Sequence, residues 1–385
     1  MRKNTDDLFR SVFGYVPSVR CFAPGRVNLI GEHTDYNGGH VFPCALDIGI
    51  ECSASKRSDG LLRFYSENFR ELSVVEISVN RLEESGSWID YPIGVIRAFK
   101  SFGYPIKYGA DLAFCGDLPA GSGLSSSAAL EVLTGAILRE LFGFSVTAQE
   151  LAVFGQFAEN RFIGVNCGIM DQFASAMGKE SCAILLDTDT LEYSYAPLPN
   201  DRVDLVIVNS GVKHSLAFSA YNERRRQCEK ALADIRTVID AKSLCGVSPE
   251  AFETVKTSVS DDICRKRAKH AVYEDHRTIA AFSALQDGRL EDFGRLMNES
   301  HFSLRDDYEV SCPELDFLAE TAQGIKGVYG ARMTGGGFGG CTINLVGKEY
   351  TQKFIKTIKA AYLQCFGKKP AVYIVNAGSG ARKKN

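Results

Sequence analysis

Four consecutive polar side chains, placed between glycines near the start of the chain, could bind a small ligand. Carboxylates accept paired hydrogen bonds from hydroxyl groups, so such a loop can hold a hydroxyl-rich molecule. A solvated turn between two strands would explain the neighbouring glycines, but not four polar groups in a row. We therefore interpret residues 24–39 as a ligand-binding loop that also contains Arg26. The four side chains are Glu32, His33, Thr34 and Asp35.

A second segment, residues 117–129, has the composition of a phosphate-binding loop. Two glycines allow backbone N–H groups to approach a ligand, and the N-terminus of the helix that follows favours negative charge. No Gly-Lys-Ser/Thr follows, so this is not a Walker A loop. A serine-capped helix after a glycine turn is the structural alternative, and these residues alone leave both interpretations open. The segment contains Gly121, Ser122, Gly123, Leu124, Ser125, Ser126 and Ser127.

Two further segments stand out. Residues 335–340 hold five glycines in six positions and lie directly before an apolar run, which favours close backbone packing against a ligand or another loop. Asp171 is a lone acidic residue in a mainly apolar stretch, and if buried it must be paired or hydrogen-bonded. It could instead cap a short helix over residues 172–177. The residues alone do not decide between these roles.

The pattern of apolar residues predicts a mixed α and β chain. Helical spacing or capping signals predict helices that begin at residues 125, 147, 219, 248, 261 and 311. Strands are predicted over 41–53, 61–65, 72–79, 108–115, 203–209, 341–346 and 371–375. Pro197, Pro199 and Asn200 interrupt the pattern, so we place the boundary between two domains there, at 1–198 and 199–385. The basic runs 224–226 and 265–267 are interpreted as solvated helix faces.

Composition excludes several classes of protein. The chain has 385 residues, is 45% hydrophobic and carries a formal net charge of −3, so it is neither disordered nor fibrous and has no basic footprint for nucleic acid. No run of 18 apolar residues predicts a membrane span. Twelve cysteines without a Cys-x-x-Cys pair argue against a zinc site. Because the first residues lack an apolar signal region, we expect a cytoplasmic protein, and we expect a monomer.

In order and spacing, these segments resemble the motifs of the GHMP small-molecule kinases, from about residue 20 to 376. Within that family, residues 32–36 and 167–172 look like those of the members that act on galactose. The resemblance implies an α+β fold of two domains, with the active site in the cleft between them. The last strand, about 371–376, would pack back on the N-terminal domain.

The activity that the resemblance implies is Mg-ATP-dependent phosphorylation of the C1 hydroxyl of D-galactose. The products would be galactose 1-phosphate and ADP, in the first committed step of galactose catabolism. Asp171 matches the family's general base, and Arg26 matches the residue that stabilises the transition state. A carboxylate that accepts the hydroxyl proton makes the sugar a better nucleophile, and a fixed guanidinium offsets charge on the phosphoryl oxygens.

The resemblance also assigns the binding residues. Residues 121–127 would cradle the ATP phosphates, the glycine-rich third segment would pack over that loop and the sugar site, and Ser127 and Glu159 match magnesium ligands, which suits a cation that prefers oxygen. The sugar contacts would be Glu32, His33, Thr34, Asp35, Gly168, Asp171 and Tyr221. Weaker matches to an adenine pocket are Ser66, Trp88 and Tyr91.

Two other functions stay open at this stage. One is a related sugar kinase for N-acetylgalactosamine, arabinose or galacturonate, although an N-acetyl group or a carboxylate would need a reshaped pocket around residues 32–35. The other is a non-catalytic galactose sensor that binds sugar and ATP and contacts a transcriptional regulator. Such family members have lost residues of the second segment, whereas residues 124–129 are complete here.

Overall fold

The computed structural model of the protein describes residues 4–69, 74–118, 123–212 and 217–384. The described residues form eleven α-helices and thirteen strands. The helices are α1 (Thr5–Phe13), α2 (Asp90–Ser101), α3 (Ser126–Phe142), α4 (Ala148–Ala158), α5 (Met170–Met177), α6 (Ala217–Ile235), α7 (Pro249–Val255), α8 (Asp262–Gln286), α9 (Leu290–Asp306), α10 (Pro313–Gln323) and α11 (Thr351–Phe366). The strands are β1 (Val19–Asn28), β2 (His40–Val41), β3 (Pro43–Lys56), β4 (Leu61–Ser66), β5 (Val75–Ser78), β6 (Ala110–Gly116), β7 (Cys182–Asp187), β8 (Tyr193–Pro197), β9 (Val203–Asn209), β10 (Val328–Thr334), β11 (Cys341–Gly347), β12 (Ala371–Val375) and β13 (Arg382–Lys384).

A six-stranded sheet with the order β13-β1-β3-β6-β4-β5 organises the first half of the chain. Adjacent strands in this sheet are antiparallel, except that β4 and β6 are parallel. Helix α3 is buried at every residue from Ala128 to Leu138, because its apolar residues occur on all sides and it lies at the centre of the helices that cover the sheet. Helix α4 begins at the predicted capping box, with Thr147 and Glu150 bonded reciprocally.

The second half is built on a four-stranded antiparallel sheet with the order β10-β11-β9-β12. Helices α10 and α11 cover one face through residues such as Leu318 and Phe354. On the other face, α8 and α9 share one apolar cluster with β9 and β11, and Val27 and Phe42 of the first half join the same cluster. Burial of this shared cluster is the main hydrophobic link between the two halves.

The strand expected to return to the N-terminal domain lies in the sheet of the C-terminal half, and only its end at Asn376 bonds to the first half, through Asp47. Strand β12 pairs with β9, for example Tyr373 opposite Ile207. The chain returns immediately afterwards, where Ala377 bridges to Leu46 and β13 pairs with β1. Strand β13 is short and basic, so it has no apolar alternation that could mark it as a strand in the sequence.

The interpretation of the basic runs as solvated faces is wrong for Arg267, whereas Arg224 is half-buried. Arg267 is only 1% exposed. Its guanidinium donates to the Asp307 carbonyl at 2.6 Å and pairs with Glu309 at 2.7 Å. Arg224 donates to the carbonyls of residues 308 and 309. Arg267 is held inside the C-terminal half because carbonyl and carboxylate oxygens replace its hydration.

Candidate active site

A cavity of about 280 Å³ lies where three of the singled-out segments meet. The loop after β1, the start of α5 and the glycine-rich loop after β10 form its walls, together with the first half of α6. The lining residues are Arg26, Glu32, His33, Asp35, Glu159, Val165, Cys167, Gly168, Met170, Asp171, Tyr221, Gly335, Gly336, Gly337 and Phe338.

An arginine–carboxylate pair stands at the centre of this cavity. Arg26, near the end of β1, is 5% exposed and donates from Nε to Asp171 Oδ1 at 2.7 Å and from Nη2 to Oδ2 at 2.8 Å. This two-bond geometry fixes the carboxylate plane. Asp171 is the second residue of α5, whose N-cap is Ile169 without a side-chain cap, so the alternative role of Asp171 as a helix cap is wrong.

The loop before α3 is bound to the same arginine. Arg26 donates from its backbone N–H to the Leu124 carbonyl at 3.2 Å and from Nη1 to the Gly123 carbonyl at 2.7 Å. Ser125 has a positive φ of 57°, which turns its hydroxyl to Asp171 Oδ2. The Leu124 side chain is buried in the core, so this residue can meet a ligand only through its backbone. The predicted ligand residues Gly121 and Ser122 lie outside the described residues.

Asp35 and Gly168 meet across the cavity. A Cβ at residue 168 would lie 1.8 Å from Asp35 Oδ2, so only glycine allows this approach. The Asp35 carboxylate is placed by the Tyr36 N–H, which donates to Oδ1 at 3.0 Å. Burial, and next the nearby Asp171 carboxylate, raise the pKa of Asp35 to about 6.

Glu32 is 1% exposed and is held by the third segment. Its Oε1 accepts the Gly335 N–H at 3.0 Å, and its Oε2 pairs with Arg332, which is fully buried on β10. Burial raises the pKa of Glu32, while the Arg332 guanidinium acts in the opposite direction. Strand β10 is thus joined to the loop at residues 24–39 by a buried ion pair, and the glycine-rich segment by the Gly335 N–H. Gly335 also lies near the Gly123 carbonyl, so this segment packs on the loop before α3.

His33 and Tyr221 form an aromatic side of the cavity, with ring centroids 5.5 Å apart. Burial lowers the pKa of His33 to about 3, so the imidazole is neutral. Thr34, by contrast, does not reach the cavity. It is fully buried, and its hydroxyl lies 2.9 Å from the Gly31 carbonyl and 2.7 Å from the His40 carbonyl. The Thr34 hydroxyl, which we expected to contact the sugar, therefore bonds to backbone carbonyls of its own loop.

A second cavity, of about 170 Å³, lies on the other side of the α3 N-terminus. Ser66 and Trp88 line it together, and Ser126 and Ser127 form its edge. Trp88 stacks on Phe69 with an interplanar angle of 6°, and the two rings together form an aromatic wall of this cavity. The predicted residue Tyr91 does not line this cavity. It is half-buried against the core of the first half.

Ser127 and Glu159 connect the two cavities. Ser127 lines the second cavity and acts to lower the pKa of the Glu159 carboxyl, which is itself in the lining of the first cavity. Burial, and then the Asp171 carboxylate, raise the pKa of Glu159. Within the described part of the chain no group of three or more His, Cys, Asp or Glu could hold a metal alone. Magnesium needs only one or two protein oxygens beside phosphates and waters. A cation would also relieve the repulsion between the Glu159 and Asp171 carboxylates. Ser127 and Glu159 therefore fit a magnesium site.

Sequence reasoning missed the side chains behind Glu159. Gln172, fully buried, donates from Nε2 to Glu159 at 2.7 Å and to Glu131 at 2.9 Å. Glu131 follows Ser127 by four residues on α3, so both lie on one face of the helix. A glutamate within an apolar helix was the signal that could have revealed this support.

Three family models match the chain. They are the galactokinase galactose-binding signature over residues 7–56, the GHMP kinases N-terminal domain over 90–179 and the GHMP kinases C-terminal domain over 281–362. The fold and the site thus define a GHMP kinase of two domains, an ATP-dependent sugar kinase.

Relatives narrow this class. The chain is 52% identical to a galactokinase of Clostridium beijerinckii over 94% of both chains, and 47% identical to a galactokinase of Bacillus subtilis over 100% of this chain and 99% of the relative. A structure of Lactococcus lactis galactokinase complexed with galactose covers 98% of each chain, with 44% identity and a TM-score of 0.96. A mevalonate kinase at 17% identity shares the fold, with a TM-score of 0.63. The chain belongs to the galactokinase family. Among the helices of the described residues, none has the length and apolar character needed to span a membrane.

Proposed function

We propose that this chain transfers the γ-phosphoryl group of ATP to the C1 hydroxyl of D-galactose, which yields galactose 1-phosphate and ADP. The observation that carries the proposal is the fixed Arg26–Asp171 pair. It lies in a hydroxyl-binding cavity beside a helix N-terminus, which favours phosphate. A second cavity with an aromatic wall begins on the other side of that helix end.

The sugar would be oriented by the polar groups that line the first cavity. Glu32 and Asp35 supply carboxylate oxygens to hydroxyl groups, His33 and Tyr221 supply polar aromatic groups, and Gly168 allows close approach of the backbone. With the sugar in place, Asp171 accepts the C1 hydroxyl proton as the oxygen attacks the γ-phosphorus. Arg26 holds that carboxylate and places positive charge beside the transferring oxygens. Their mutual bonds keep both groups in place before the substrates bind.

The nucleotide would lie across the N-terminus of α3. The backbone of residues 121–125 and the hydroxyls of Ser126 and Ser127 are the candidates for phosphate contacts, and Ser66 and Trp88 are those for the adenine pocket. Magnesium held by Ser127 and Glu159 would neutralise phosphate charge. The structural support for this assignment is their position, since Ser127 lines the second cavity and Glu159 lines the first.

Glu159→Gln is expected to raise the Mg²⁺ concentration for half-maximal activity at least about tenfold, because a neutral amide is a weaker ligand for a hard cation. Titration of Mn²⁺ followed by electron paramagnetic resonance, with ADP present, measures the loss of binding directly. Glu291→Gln, an exposed substitution on α9, is the matched control. Unchanged Mn²⁺ affinity in Glu159→Gln would remove this residue from the metal site.

Low pH is expected to lower kcat/KM for galactose through protonation of Asp35. Its pKa is raised to about 6, so the carboxylate takes up a proton as the pH falls through 6 and loses an acceptor for sugar hydroxyls. Because kcat/KM reports groups of the free enzyme, kcat/KM for galactose should fall about tenfold per pH unit below pH 6. Steady-state assays between pH 5 and 8 measure this, and a profile that stays flat down to pH 5 would contradict the assignment.

Competition assays test the sugar. Galactose should be phosphorylated with a higher kcat/KM than N-acetylgalactosamine, arabinose or galacturonate. Faster turnover of one of these would reassign the substrate, and binding of galactose and ATP without ADP release would identify a sensor.

We also propose that the protein works in a reducing compartment, the cytoplasm. The twelve cysteines contain no Cys-x-x-Cys pair, which agrees with a protein that does not depend on a disulfide framework. That the protein is a monomer stays a prediction, for which sedimentation velocity is the measurement.

A further inference from the structure

A series of four buried or half-buried side chains runs from the first cavity into the C-terminal half, and the mechanism above uses only the first of them, His33. His33 Nδ1 lies 2.7 Å from the Tyr36 hydroxyl, which lies 2.7 Å from the Tyr308 hydroxyl. The Tyr308 oxygen is 3.2 Å from the Cys228 sulfur. Tyr308 and Cys228 are 0% and 1% exposed, so water does not compete for these hydrogen bonds.

The chemistry of the four groups decides which group donates and which accepts in each of these hydrogen bonds. Each contact needs one donor, and an unprotonated imidazole nitrogen is the strongest acceptor present, whereas a thiol is weak in both roles. In the strongest set of hydrogen bonds, Tyr36 donates to His33 Nδ1 and Tyr308 donates to Tyr36. Cys228 then donates to Tyr308. The side-chain N–H of Asn37, 3.7 Å from the sulfur, is placed to donate to it, which leaves the S–H free to donate to Tyr308.

The other imidazole nitrogen then has to carry the proton of the neutral ring. Within the described residues, His33 Nε2 is buried without a well-formed hydrogen bond. The carbonyl of Gly336 acts on the ring, as expected for an N–H directed towards the glycine loop. The rings of Tyr221 and Tyr308, at 5.5 and 4.7 Å between centroids, restrict its rotation.

We propose that Tyr36, held by Tyr308, is a positioning and specificity-determining residue that keeps His33 in the Nε2–H tautomer. The imidazole then offers the sugar a hydrogen-bond donor and selects an oxygen acceptor at that position. A sugar with an ammonium group there has no lone pair to offer and is rejected. The tautomer follows from the protein alone, while its use in sugar recognition rests on the proposed function.

The test uses the full-length protein with ¹⁵N-labelled histidine, and the His33 signals are assigned by their loss in His33→Gln. The sugar-free wild type should show a protonated Nε2 and a bare Nδ1. Tyr36→Phe should give a mixture of tautomers, and Tyr308→Phe a smaller change in the same direction. A protonated Nδ1 in the wild type would overturn the proposal even if neither variant folds.

Kinetics separates positioning from general structural support. Tyr36→Phe should raise KM for galactose about three- to tenfold with kcat within about twofold, and it should add nothing in a His33→Gln background. Tyr362→Phe is the control, because it removes another buried tyrosine hydroxyl, bonded to the Ser210 carbonyl, far along the chain from His33. An undiminished Tyr36→Phe effect in the His33→Gln background would overturn the proposal. A wild type that does not phosphorylate galactose would refute the proposed function and leave the tautomer result intact.

Discussion

Asp171→Asn is expected to lower kcat by about 10²–10⁴ while galactose binding stays measurable. The amide occupies the same space as the carboxylate but cannot take the C1 hydroxyl proton. Loss of the ion pair with Arg26 also leaves a buried guanidinium without its counter-charge, which adds to the loss of rate. Stopped-time assays of ADP release, with galactose binding followed by calorimetry, measure the two effects separately.

Asp187→Asn is the matched control for this substitution. Asp187 ends β7 outside the first cavity, and it accepts hydrogen bonds from its own turn, so its amide should leave kcat unchanged. A rate loss in Asp171→Asn that is matched by an equal loss of galactose affinity would make Asp171 a structural residue.

Gly168→Ala is expected to raise KM for galactose on the order of 100-fold, with little change in KM for ATP. The new methyl group would lie 1.8 Å from Asp35 Oδ2 and 2.2 Å from its Cγ, so the carboxylate must move out of the sugar cavity. Loss of hydrogen bonds to a charged group costs about 3 kcal/mol, which corresponds to that factor. Calorimetric titration with galactose is the direct measurement.

Gly324→Ala provides the comparison, because it adds a methyl group where the nearest atom is 3.6 Å away and φ is −82°. This variant should retain wild-type KM and melting temperature. If Gly168→Ala binds galactose as tightly as the wild type, the contact between Asp35 and Gly168 does not shape the sugar site.

The chemistry of the site was readable in the sequence because it depends on local runs of unusual composition. Three of the four polar residues at 32–35, the glycines at 335–337 and the acidic Asp171 line one cavity. Thr34 shows the limit of this reasoning. A run of polar residues does not reveal which side chain bonds to its own loop, and that depends on the bend that brings the His40 carbonyl to the Thr34 hydroxyl.

Residues that act over long sequence separations were not readable. Arg332 reaches Glu32 across 300 positions, and Tyr308 reaches Tyr36 across 272, so neither pairing leaves a local pattern. Arg267 was interpreted as solvated because a basic run on a helix usually is. Tertiary packing gives Arg267 oxygen partners from residues 307 and 309, which no local sequence pattern predicts.

The elements themselves followed from apolar periodicity where they are long or buried. Strand β9 and strand β12 have the predicted bounds, and α3 begins within one residue of its predicted start. Strand β13 was not predicted, because its three residues are basic and it is held only by pairing with β1. The domain boundary at 198 stays a prediction, since the apolar cluster shared by both halves gives no sharp division.

The central claim is that Asp171 and Arg26 promote phosphoryl transfer to the C1 oxygen of galactose. The most direct measurement is ³¹P nuclear magnetic resonance of the product formed from [1-¹³C]galactose, ATP and Mg²⁺ by the purified protein. We expect one ADP for each sugar phosphate, a phosphorus signal split by the labelled C1, and loss of that signal in Asp171→Asn. A product phosphorus without coupling to C1, or full product formation by Asp171→Asn, would contradict this claim.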